Sequence, residues 1–69
     1  MIKDNDWRLV HAETGEPVSE GDELPDFRGE YWIIGGGRHP NGHGSGRVYT
    51  TAPHSREFYP SVFNLEWVK

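Results

Sequence analysis

No cysteine occurs among the 69 residues. The disulfides with which small secreted domains reinforce a limited core are thereby excluded, and a reducing, cytoplasmic setting is expected. The N-terminal stretch MIKDNDWRLV carries neither a positively charged segment nor an apolar one behind it, so no signal peptide is expected. The longest strongly apolar run is YWII at residues 31–34. That is far short of the roughly 20 residues a membrane-spanning helix needs, so a soluble protein with no membrane partner is expected. An apolar period of 3.6 residues is nowhere sustained long enough to build an amphipathic helix.

Acidic residues are missing from the whole of residues 31–56, which hold Arg38, Arg47, Arg56 and three of the four histidines. Residues 1–30 are the converse, with nine acids against Lys3, Arg8 and Arg28. The net charge of −4 therefore conceals a charge dipole along the chain. Nine aromatics against one methionine point to a core built from large rings. Such a core suits a chain this short, which buries only about 60% of its unfolded surface. Trp7, Phe27, Trp32, Phe58, Phe63 and Trp67 are assigned to that core. Ile33, Val48, Phe63 and Leu65 are expected to be buried, and Tyr31, Tyr49 and Tyr59 to keep their hydroxyls in water.

The remaining pattern is that of short strands. DWRLVH alternates, YWIIGG is rich in β-formers, GRVYTTA returns after a glycine-rich stretch, and REFY and LEWV complete the set. Between the first two lie Thr14-Gly15-Glu16-Pro17, Glu20-Gly21-Asp22 and Pro25 to Glu30, three regions of turn chemistry that leave no room for a helix. Pro60-Ser61-Val62-Phe63-Asn64 reads as a single 3₁₀ turn. The fold class expected is all-β. A single SH3-like antiparallel barrel or roll of about five strands would occupy residues 1–69, with a flexible Gly/His-rich loop at 35–46.

The order TGEPVSEGDELPDFRGE, a variable loop, SGRVY and then REFYPSVFNLEWV resembles a family of small bacteriophage- and prophage-encoded proteins of uncharacterised function. Their shared features are a GD-x-[VL]-x-DFRGE core and a Tyr-x-x-Val-Phe-x-Leu ending, and the likeness spans residues 13–68. The resemblance implies a phage-type protein acting in the cytoplasm of a bacterial host. It also implies a Gly21-Asp22 turn and an Arg28-Gly29-Glu30 lead into a strand like those of SH3-like and KOW-type barrels. No catalytic residue is implied. The loop, unusually rich in histidine and glycine, departs from the family pattern.

That loop, GGGRHPNGHGSGRV at residues 35–48, invites several chemical readings. A phosphate cradle needs GxxxxGK[ST] opening a helix, and here GHGSGRV runs into a strand with no lysine. His39 and His43 are four residues apart, but Pro40-Asn41-Gly42 between them forbids the helix that would align them, and His54 completes no four-ligand set. Ser45, Ser55 and Ser61 lie in no nucleophile motif, and a barrel of this size leaves little interior for a substrate pocket. No enzyme activity, cofactor or metal is expected.

Two binding readings remain. Arginines beside tyrosines on a small barrel can pair phosphates and stack bases, although a pI near 5.4 is the reverse of the usual nucleic-acid footprint. A protein partner suits both halves of the charge pattern, and the dipole also allows self-association. The expected function is a non-catalytic interaction module for a host or phage protein, with weak nucleic-acid binding as the alternative. The partner-binding residues expected are Arg38, His39, His43, Arg47, Tyr49 and Arg56. The loop glycines are read as giving length and mobility.

Overall fold

Alternation over Trp7–His11 makes the second strand, β2, and the two-residue β1 (Lys3–Asp4) folds back on it through a turn at Asn5, whose φ is +54°. The other strands are β3 (Glu23–Pro25), β4 (Tyr31–Arg38), β5 (Arg47–Ala52), β6 (Arg56–Phe58) and β7 (Leu65–Val68). A 3₁₀ turn over Pro60–Phe63 leads into β7. This is a computed structural model that describes residues 1–42 and 44–69, so the expectation for His43 lies outside the described residues.

The all-β expectation holds, as two antiparallel sheets in the orders β1-β2-β7 and β3-β4-β5-β6. Among the described residues these ladders do not close into one barrel. Among the described residues seven strands stand where about five were expected. The two extra ones, β1 and β3, are too short for alternation to register in the sequence.

The segment assigned wholly to turns joins the sheets. Val18 N–H donates to Leu9 O at 3.0 Å, and its own carbonyl accepts from Ile2 N–H at 2.9 Å. A few residues on, Gly21 N–H donates to Ile34 O at 2.8 Å and Ile34 N–H to Asp22 O at 2.9 Å. Gly21 reaches this position with φ +91°, which costs a residue without a Cβ nothing. The strap is fastened by the Asp22 carboxylate, which accepts Ser19 N–H at 2.9 Å.

Ile2, Leu9, Val18, Trp32, Ile34, Val48, Phe63, Leu65 and Trp67 form the core. Ile33 is only half-buried, and Ile34 is fully buried instead. Trp32 and Ile34 share the inner face of β4, so the strand's period of two turns Ile33 to the other side. Trp7 and Phe58 pack partly buried on the core, whereas Phe27 lies outside it altogether.

The expected loop at 35–46 is shorter than its glycines suggest. β4 continues to Arg38, with Gly36 opposite Tyr49, Gly37 opposite Val48 and Arg38 opposite Arg47. The connection is residues 39–46, and Asn41 and Gly44 exchange backbone hydrogen bonds of 3.2 Å across it. Gly37 and Gly46 serve close approach. A Cβ on Gly37 would stand 2.5 Å from Arg47 O and 2.6 Å from the Trp67 ring, and one on Gly46 would stand 2.7 Å from Arg38 O and 2.7 Å from the same ring. The Trp67 indole lies against bare backbone and donates its N–H to Arg47 O at 3.3 Å.

A matched pair of substitutions tests this role. Gly37→Ala must push the backbone or the indole aside, and is expected to lower stability by roughly 1–3 kcal/mol in denaturant titration. Gly36→Ala meets no atom within 4 Å, and is expected to stay within about 0.5 kcal/mol of the parent. Equal effects would contradict the packing role.

Candidate functional site

Of the expected partner-binding residues, Arg38, His39 and Arg47 lie together as a basic rim, with acids inside it. Arg38 and Arg47 sit side by side on β4 and β5. Both reach the same carboxylate oxygen of Glu57, Arg38 Nη2 at 3.3 Å and Arg47 Nε at 3.3 Å. The Arg47 guanidinium also covers the Tyr59 ring at 4.3 Å and donates to Gly46 O at 2.8 Å. On β6, Glu57 stands opposite Tyr49, so the β5–β6 hairpin brings it back beside the arginines. It was overlooked because the acid-free stretch ends one residue before it.

His39 is likewise engaged. Its backbone N–H donates to Asp4 Oδ2 at 2.8 Å, its ring Nδ1 pairs with the same oxygen, and the ring stacks on Trp7 with centroids 6.1 Å apart. The His39 backbone N–H and then its ring hold the Asp4 carboxyl below the usual aspartate range against the opposing effect of partial burial. Arg38, His39 and Arg47 line a polar pocket of about 180 Å³ with Asn41, Gly44 and Gly46. Arg56 does not line it and instead overlies Phe58 at 5.3 Å and Trp32 at 5.8 Å. Among the described residues no group of three His, Asp or Glu side chains could hold a metal ion.

Phe27, expected in the core, is 78% exposed. It stands at the tip of the turn between β3 and β4, and the turn is closed on all sides. Asp26 N–H donates to Glu30 O at 2.8 Å and Gly29 N–H to Asp26 O at 3.1 Å, with Gly29 at φ +85°. Beneath the tip the buried Asp26 carboxylate accepts three donors: Arg28 N–H at 2.8 Å, Glu30 N–H at 3.0 Å and the Trp32 indole N–H at 3.1 Å. Burial pushes the Asp26 carboxyl up, but these donors and the Arg28 charge together hold it below the usual range.

An aspartate that bonds the N–H two residues on makes a local turn and throws the intervening side chain outward. DFRGE contains that signal, and ring size alone had placed Phe27 inside. Arg28 lies over the Phe27 ring at 5.7 Å, and the neighbouring Tyr31 is also exposed.

A second surface feature is an open groove of about 480 Å³ lined by Pro40, Ser45, Pro60, Ser61, Leu65, Glu66 and Trp67. It runs between the β4–β5 connection and the 3₁₀ turn with β7. Pro60 opens that turn, and Asn64 ends it in the left-handed region at φ +55°, which sets Leu65 and Trp67 at the groove floor.

Asp4 and Asp26 predict the acid limb of stability. Carboxyls held below their unfolded value stabilise the fold fully above that value, near 3.9, and the contribution is lost as pH falls through the lowered folded values. Thermal stability is expected to drop steeply below about pH 4. Asp26→Asn would set its amide NH2 against either the Trp32 indole N–H or the Arg28 and Glu30 N–H groups, so this variant is expected to be less stable at neutral pH with a shallower acid limb. An unchanged limb would show that the Asp26 bonds contribute nothing.

Comparisons with family models, with curated proteins and with solved structures find no match, so the site is read from its own geometry.

Proposed function

We propose that the chain is a non-catalytic interaction module that binds a protein surface through the turn at residues 26–30. Its two sheets are read as an open SH3-like roll, and its setting as the cytoplasm of a bacterial host, in keeping with the phage-type proteins that the DFRGE stretch resembles. The observation that carries this reading is Phe27, 78% exposed on a turn fixed by the Asp26 carboxylate. Aromatic and arginine side chains carry much of the binding energy at protein interfaces. A turn already ordered before contact also loses little conformational entropy on binding.

The nucleic-acid alternative has less to support it. Two of the rim's cations share Glu57, and the third basic side chain, His39, faces Asp4. A nucleic-acid phosphate would compete with those carboxylates for a few cations on a protein of net charge −4.

The test is affinity capture from bacterial lysate, with and without nuclease, using the parent chain, Phe27→Ala and Arg38→Ala. A protein retained by the parent in both halves, lost with Phe27→Ala and kept with Arg38→Ala, is the expected result. Retention that vanishes with nuclease and with Arg38→Ala, but survives Phe27→Ala, would replace this reading with the nucleic-acid one.

A further inference from the structure

The Phe27 turn and the apolar groove lie at opposite ends of β4. The turn runs directly into Tyr31 at the start of β4, and Pro40 of the groove wall follows shortly after Arg38 at its end. Eight residues of strand separate the two by roughly 23 Å at about 3.3 Å per step. The longest dimension of the whole domain is only 28 Å. Phe27 therefore cannot reach the groove of its own chain.

Knob and groove are nonetheless complementary. A groove of about 480 Å³ floored by Leu65 and Trp67 and walled by Pro40 and Pro60 has room for a phenyl ring. Beside the knob stands the exposed Arg28, and on the groove rim the exposed Glu66. Neither has an ion-pair partner among the described residues.

We propose that the occupant of the groove is Phe27 of a second copy of this chain, with Arg28 of the incoming copy facing Glu66. This deepens the interaction-module reading and rests on it, by naming the partner surface. Because the two halves of the contact are different patches at opposite ends of β4, the contact is head-to-tail and leaves a free knob and a free groove on every dimer. Assembly then continues beyond the dimer, into a ring if the rotation closes and a filament if it does not. The small buried area makes each contact weak and concentration-dependent.

Sedimentation velocity on the purified chain between about 10 μM and 1 mM, the range where a weak contact responds to concentration, reads the assembly directly. The parent chain is expected to grow past the dimer as concentration rises, and less so in high salt. Phe27→Ala removes the knob. Ser61→Trp fills the groove from an exposed position on the 3₁₀ turn. Each variant alone is expected to stay monomeric, and the two mixed in equal amounts to form a complex that stops at the heterodimer, since only one intact knob and one intact groove remain.

Exchanging the charges, Arg28→Glu with Glu66→Arg in one chain, is expected to restore assembly lost in either single change. A parent chain that stays monomeric throughout the range, or a dimer unaffected by both Phe27→Ala and Ser61→Trp, would overturn the proposal. If the parent is monomeric while Phe27→Ala still loses a captured lysate protein, only the choice of partner fails and the turn's binding role stands.

Discussion

The Trp67 indole lying on the backbone of Gly37 and Gly46 is the contact on which the rest of the fold depends. Trp67 belongs to β7 of the three-stranded sheet, whereas the two glycines belong to the β4–β5 arm of the other, so this side chain packs one sheet directly on the other. Interior packing is dense and directional, and a ring pressed against bare backbone leaves no space for even one methyl. The indole N–H bond to Arg47 O fixes the ring's orientation as well as its depth. The same placement forms the floor of the groove, so the element that closes the core also shapes the surface at that end.

Around this contact the charges are arranged in pairs that the linear sequence separates. Glu57 reaches Arg38 and Arg47 across a hairpin, and Asp4 reaches His39 across almost the whole chain. At the opposite end of β4 Asp26 is satisfied by backbone and indole donors, which leaves Arg28 and Phe27 directed outward. Half-exposed ion pairs of the Arg38–Glu57 kind contribute little to stability, so their main consequence is to occupy the arginines. The proposed binding surface accordingly falls where an aromatic side chain is left uncovered.

Much of the fold was legible in the sequence because its signals are local. Alternation located β2 and β5, β-propensity located β4, and Pro60 together with Asn64 marked the 3₁₀ turn. The strap at residues 17–22 was not legible, since its hydrogen bonds go to Ile2, Leu9 and Ile34, partners that only the tertiary fold brings near. The role of Gly37 and Gly46 was not legible for a related reason. A glycine required for mobility and one required for close approach look the same until the approaching ring is known. For the site, Arg38, His39 and Arg47 do meet, yet the acids that occupy them arrive from β6 and β1. Phe27 was misplaced because residue size was weighed above the turn chemistry of the aspartate before it.

A Phe27 turn held by the Asp26 carboxylate is expected to be both uncovered and already ordered in the free protein. Backbone ¹⁵N relaxation of residues 27–30 measures that order directly. Order parameters near 0.85, like those of a rigid backbone, are predicted for Arg28, Gly29 and Glu30, and values below about 0.6 would contradict it.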